Sequence, residues 1–240
     1  MTNKLFFLHG WSGSTASWDA NVPYFTERGF KCYPLKMEGR ELPEPPVDWG
    51  VQNFAEQSFI RIKEILADDK EKPVLIGHSF GGRQAIYLAA KYPDVFSKII
   101  LTNAAGIIVD SKEKKSLKRT FLFALRRIIK KLSGRRISGW LQEINAKLYG
   151  SRDFKNASPV MREVMKKVVD LDLTPYLNKV TVETLIIWGE NDHATPLSQA
   201  NVIKNGIKNS KMIVFKNQGH CVHSEIPEEW NSTVFQFISN

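Results

Sequence analysis

Cysteine is nearly missing: among 240 residues only Cys32 and Cys221 occur, without paired spacing or a Cys/His cluster. Neither a disulfide framework nor a metal site is therefore expected, and a reducing compartment fits best. Long apolar runs are missing as well. The run near the N-terminus, Leu5-Phe-Phe-Leu8, is too short for a signal-peptide core, and none elsewhere approaches the roughly 18 residues of a membrane span. A soluble cytoplasmic protein is expected. No internal repeat is found, and 42% hydrophobic residues with aromatics along the whole length exclude large-scale disorder. The length suits one α/β domain with a small insertion.

Negative charge is scarce in one place only. The formal net charge is +9, and residues 110–170 hold about 17 Lys/Arg against about 6 Asp/Glu, so the rest of the chain is close to neutral. The basic character belongs to one segment.

Short apolar runs that end in turn-formers alternate with segments of helical period, the pattern of strand–helix units around a mostly parallel sheet. Leu5–Leu8, Val74–Ile76, Ile99–Leu101 and Leu185–Trp188 are predicted strands, each feeding a loop at its carboxyl end. Lys31–Leu35, weakened by Pro34, and Met212–Phe215 bring the sheet to about six strands. Helical spacing covers Asn53–Leu66, Arg83–Lys91 and Glu228–Ile238. The alternation stops after Ala104-Ala-Gly106 and resumes near Thr184, an interval too long for a bare loop. A helical basic cap is expected over 108–176, inserted between core segments 1–107 and 177–240.

Inside Val74-Leu-Ile-Gly-His-Ser-Phe-Gly-Gly82 a single serine stands between glycines at the end of an apolar run. This G-x-S-x-G arrangement makes a sharp strand-to-helix turn that lifts the Ser79 hydroxyl above the sheet and directs the Phe80 N–H to the same point. After the first strand, His9-Gly-Trp-Ser-Gly-Ser14 is a small-residue loop of the kind that supplies a second oxyanion donor, with the Trp11 N–H the candidate by position. Two later loops at strand ends carry Asp192, in Trp188-Gly-Glu-Asn-Asp-His-Ala-Thr-Pro196, and His220, in Asn217-Gln-Gly-His-Cys-Val-His-Ser-Glu-Ile-Pro227.

With these four segments in order, the chain resembles an α/β-hydrolase of the small, cofactor-free serine esterase and lipase type with a helical cap. The resemblance covers nearly the whole chain. It implies an α/β-hydrolase fold, no cofactor or metal, and a triad of Ser79, Asp192 and His220 in the family's chain order. It favours His220 over His223, because the base directly follows the glycine and Glu225 and Pro227 stand at matching positions. It favours Asp192 over Glu190 within the frame Gly189 to Pro196. A minority of the family keeps its acid one strand earlier, where this chain has Asn103, which cannot serve. His9 and His78 are expected to hold loops together, His193 to line the mouth, and Trp18 to anchor the segment after the oxyanion loop. The Trp11 ring either borders the acyl pocket or does not. One segment departs from the family: after the second strand, Leu35-Lys-Met-Glu-Gly-Arg-Glu41 replaces the usual Asp and small-residue turn.

Within the cap, Leu117, Phe121, Leu125, Ile128, Ile129 and Leu132 fall on one helical face, with Lys118, Arg119, Arg126, Arg127, Lys130 and Lys131 opposite. A lid over the site is expected, with weak association with an anionic membrane surface a further option. Nucleic acid is not an expected partner, because no recognition motif accompanies the charge. The expected activity is cleavage of carboxylic esters of small to medium acyl groups through an acyl-enzyme at Ser79. A ligand-sensing protein on the same scaffold, or a thioesterase, lactonase or C–C bond hydrolase, is the alternative.

Overall fold

The computed structural model describes residues 3–67, 69–109 and 156–240. The amphipathic basic stretch from Leu117 to Leu132 lies outside the described residues, as does most of the interval expected to form the cap.

Six parallel strands form one sheet: β1 (Lys4–Leu8), β2 (Lys31–Pro34), β3 (Val74–His78), β4 (Lys98–Thr102), β5 (Glu183–Gly189) and β6 (Ser210–Phe215), in the order β2-β1-β3-β4-β5-β6. Alternate side chains face opposite sides, as a pleated strand requires. Leu5, Phe7, Val74, Ile76, Ile100, Leu185 and Ile187 enter one core, and Phe6, Leu75, Ile99, Leu101, Ile186 and Trp188 enter the other. The central strands are buried on both faces, which is why they read as unbroken apolar runs. Pro34 lies on the edge strand opposite Phe7, where its missing donor costs least.

The first core is closed by α1 (Val22–Thr26) and α8 (Pro227–Ser239), which contribute Phe25, Trp230, Val234 and Phe237. The second is closed by α2 (Val51–Leu66), α3 (Phe80–Lys91), α5 (Thr174–Leu177) and α6 (Leu197–Gly206). On α2 the buried residues Val51, Phe54, Ala55, Ser58, Phe59 and Ile62 make a single apolar stripe. Burial of each large side chain contributes roughly 1.5–3 kcal/mol.

Helix α3 begins at Phe80, three residues before the predicted Arg83. Gly81 and Gly82 read as turn-formers in the sequence but are helical, and they are glycine for contact: a Cβ on Gly81 would fall on the Leu8 carbonyl, and one on Gly82 on the Ala104 side chain. Helix α6 is absent from the sequence reading because only Ala200 and Ile203 on it are fully buried, too few to set a period.

Helix α4 (Pro159–Asp170) falls within the interval expected to form the cap and is N-capped by the Ser158 hydroxyl, which accepts from the Met161 N–H. Its Val164 and Val168 pack with Met37, Val51, Phe54 and Phe80, so α4 lies across the starts of α2 and α3. The short α7 (Val222–Glu225) leads into α8.

The chain passes from β2 back across β1 to reach β3. Loops leaving β1 and β3 therefore diverge at their carboxyl ends, and a crevice opens there, the usual ligand position in open parallel sheets.

Candidate active site

Ser79 occupies that crevice with φ 51° and ψ −109°, a conformation that strongly favours glycine. The strain is over-determined by its neighbours. The Ser79 N–H donates to Thr102 O at 3.1 Å, while Ser79 O accepts from Arg83 N at 3.2 Å and Ala105 N at 3.0 Å. Gly77 and Gly81 face each other so closely that a Cβ on Gly77 would overlap the Gly81 backbone. Small flanking residues are thus required by strand-to-helix contact. Because α3 starts at Phe80, its first N–H groups have no intrahelical acceptor and the helix presents its positive end beside Ser79.

Asp192 and His220 meet across the loops after β5 and β6, with His220 Nδ1 donating to Asp192 Oδ2 at 2.8 Å. Asp192 is buried and surrounded by donors. Oδ1 accepts from the N–H groups of Ala194 at 2.8 Å and Thr195 at 2.9 Å, and Oδ2 also accepts from Thr195 Oγ1 at 2.6 Å and Asn103 Nδ2 at 2.7 Å. Burial alone would raise the carboxyl pKa, but the bonds from His220 and Thr195 outweigh it and hold the value down at about 2. Asp192 is a carboxylate throughout the physiological range, and its bond fixes the His220 tautomer with Nε2 unprotonated.

Two other carboxylates near these loops sit apart from this pair. Glu190 is exposed and accepts from Asn217 N at 3.2 Å. Glu225 accepts from Gly219 N at 2.6 Å and Cys221 N at 3.0 Å, gripping the backbone on both sides of His220. Gly189 has no Cβ because the loop carrying His220 lies directly against it.

Three imidazoles cluster, tilted to one another: the His78 ring lies 4.9 Å from that of His220 and 4.4 Å from that of His223. His78 Nε2 donates to His220 O at 2.9 Å, so it braces the loop. His223 is buried against Trp18, 4.5 Å between rings, and makes no bond to Asp192. Burial pushes the His223 pKa down to about 4, and burial with the two neighbouring rings pushes that of His78 well below its ordinary value. His193 is exposed beside the acid. Trp18 is fully buried and packs on Phe7 and Trp230.

Two cavities adjoin Ser79, and Trp11 and His220 line both. One, of about 300 Å³, is roofed by Met165 and Val168 of α4 and walled by Phe80 and Ile107, with Arg83 at its side. The other, of about 420 Å³, runs between the β1 loop and α7 past Ser12, Ser17, Asp19, Cys221 and Ser224. Trp11 stands edge-on to Phe80 at 5.0 Å and to Phe54 at 5.8 Å, so its ring is a wall of the cavity beneath α4. Arg83 is buried one turn after Ser79, and its Nη1 donates to the carbonyls of Val168 at 2.7 Å and Leu171 at 2.9 Å, the terminal acceptors of α4. Burial lowers its pKa to about 10, opposed by the charge of Asp172, and it stays cationic.

Asn103 and Thr195 were missed as site residues by sequence reasoning. Asn103 follows β4 directly and adopts φ 45°, a conformation asparagine tolerates, so its place at a strand end is a usable signal; Thr195 offers none.

The parallel sheet, the glycine-packed turn and the paired Asp192 and His220 define a class, and the sequence agrees: the chain belongs to the alpha/beta hydrolase fold family, whose pattern matches residues 3–227. Among relatives, it is 24% identical over 244 residues to Protein ABHD8 of Mus musculus, covering 98% of this chain and 54% of the relative, so it spans about half that protein's length. It is 25% identical over 234 residues to a pimeloyl-[acyl-carrier protein] methyl ester esterase of Wigglesworthia glossinidia brevipalpis, covering 91% of this chain and 86% of that protein. The fold matches the crystal structure of a bromoperoxidase from Bacillus anthracis with a TM-score of 0.74 at 20% identity, over 100% of this chain and 93% of the other. Among the described residues no helix is long and apolar enough to cross a membrane.

Proposed function

We propose that the protein is a serine hydrolase that cleaves carboxylic esters of small to medium acyl groups through an acyl-enzyme at Ser79. The observation that carries this reading is the His220–Asp192 bond of 2.8 Å beside a serine held at φ 51°. In the proposed cycle the Ser79 oxygen bonds to the ester carbonyl carbon while His220 Nε2 takes the hydroxyl proton, and Asp192 stabilises the imidazolium. The carbonyl oxygen becomes an oxyanion held by the N–H groups of Trp11 and Phe80, each donor being worth about 3 kcal/mol in comparable sites. Collapse breaks the bond to the alcohol oxygen, which leaves with the proton from His220. Water then repeats the sequence on the acyl-enzyme and releases the acid.

The two cavities suggest a division of the substrate. The one beneath α4, roofed by Met165 and Val168, suits the acyl group, and the one past Ser12, Ser17 and Asp19 suits the leaving group and its exit. An ester-cleaving relative of similar length, the methyl ester esterase, favours the same bond type. The proposal includes a cap contributed by 108–176, of which α4 is one described part.

A fluorophosphonate probe followed by intact-mass measurement tests the nucleophile: one adduct is expected on the wild type and none on Ser79→Ala. No adduct on the wild type, or equal labelling of the variant, would sink the assignment. A panel of esters of graded acyl length, run with and without anionic vesicles, tests the substrate class. Absence of turnover on every ester by a chain that labels would move the activity to another bond.

A further inference from the structure

We infer that Glu41 and Arg40, on the loop after β2, are positioning residues that hold the Trp11 N–H where an oxyanion would form. The inference rests on Ser79 acting as the nucleophile. These residues lie in the segment Leu35–Glu41 that departs from the family pattern.

Residues 9–14 form no regular structure before the short 3-10 helix Thr15–Trp18, into which Ser14 leads with its N–H donating to Ser17 Oγ at 3.2 Å. A single turn bond, Gly13 N to Gly10 O at 3.0 Å, spans Trp11. Glu41 and Arg40 tie this segment's backbone to a distant loop. Glu41 Oε1 accepts from both the N–H of Thr15 at 3.0 Å and its hydroxyl at 2.6 Å. Glu41 Oε2 faces His9 Nε2 at 3.2 Å. Arg40 Nη2 donates to Ser12 O at 2.6 Å and Nε to Gly13 O at 3.4 Å. Residues on both sides of Trp11 are therefore strapped to one distant loop.

The His9 contact differs from these bonds. His9 Nδ1 lies 2.8 Å from Gly10 O, which can only accept, so Nδ1 carries a hydrogen. A neutral ring would then turn a lone pair toward a carboxylate, and both Nε2 and Oε2 are shielded from solvent. Burial lowers the His9 pKa, the Glu41 charge opposing it, so this contact is the weakest part of the strap and the Thr15 bonds carry it. The bonds from Thr15, working against burial, keep the Glu41 pKa below its ordinary value, so the carboxylate remains a strong acceptor for the loop.

An oxyanion donor contributes only if it is already in place when charge develops, and a shift of a fraction of an ångström wastes it. Loss of the strap should therefore lower the rate of the chemical step and leave ground-state binding alone. The test compares wild type, Glu41→Ala, Glu41→Gln and Arg40→Ala by the second-order rate of fluorophosphonate labelling and by kcat and KM on the best ester. Glu41→Ala is expected to lower labelling rate and kcat by about 10- to 100-fold, less than outright loss of a donor, with KM within about threefold. Glu41→Gln keeps an acceptor for Thr15 and offers His9 an N–H, so it should recover most of the rate. Arg40→Ala, at an exposed side chain, should slow both steps by about 3- to 10-fold.

Wild-type rates in Glu41→Ala, a loss confined to KM, or a glutamine variant no better than alanine would overturn the inference. If Glu41→Ala does not fold, Arg40→Ala decides by the same rates, and equality with wild type overturns it. A wild type that resists the probe would overturn the reading of Ser79 and this inference with it. A labelled wild type matched by Glu41→Ala overturns the inference alone.

Discussion

The two loops that meet over Ser79 are held by different physics. The turn after β3 is fixed by backbone pressed on backbone, with Gly77 against Gly81 and Gly81 against Leu8. The loop after β1 is fixed by side chains reaching from a distance, through Glu41 and Arg40. The first mechanism leaves no slack and depends little on pH, because no charge takes part. The second is partly exposed and depends on protonation. A site can thus combine a rigid serine turn with a second wall whose placement is set by charge.

The sharpest way to break the comparison is Gly81→Ala. Its methyl group would need the space of the Leu8 carbonyl, so we expect destabilisation of at least about 1–3 kcal/mol and loss of probe labelling, read by denaturant unfolding and intact mass. A folded, fully labelled variant would show that the turn has slack after all.

Acid should separate the charged elements from the packed one. His223 has a folded pKa of about 4 against an ordinary value near 6.5. The unfolded chain takes up this proton first as pH falls, so native stability drops between about pH 6.5 and 4, by roughly 3 kcal/mol from His223, with His78 adding in the same direction. Asp192 acts later: its bonds stabilise the fold above about pH 4, and that contribution is lost as pH falls toward 2. Urea unfolding at stepped pH, for wild type and His223→Gln, checks the first window. An unchanged slope in the variant would remove His223 from the account.

The smallest effect expected is a gain. Ser79→Gly relieves a backbone strain of about 1 kcal/mol and should raise the midpoint of unfolding while abolishing turnover. A lower midpoint would mean that the serine side chain, and not its backbone, governs stability there.

The same contrast explains what could be read from the sequence. Parallel strands buried on both faces must be continuous apolar runs, so the sheet was legible. Glycine-enforced contacts need fixed spacing, so the Ser79 turn was legible too. The loops carrying Asp192 and His220 follow strands directly and could be located at one edge of the sheet, where the structure brings both residues together. Arg40, Glu41, Asn103 and Thr195 escaped because their roles depend on which distant loops fold side by side. Glu41 and Thr15 are 26 positions apart with no motif between them. Helix α6 escaped for the opposite reason, since its buried face is too narrow to imprint a period.

The buried guanidinium of Arg83 joins α4 to the helix that begins beside Ser79. Raising α4 would break the bonds that Arg83 makes to the carbonyls of Val168 and Leu171, a costly displacement. The space under it therefore behaves as a fixed gauge. Acyl groups short enough to fit should react at similar rates, and those one or two carbons too long should fail abruptly.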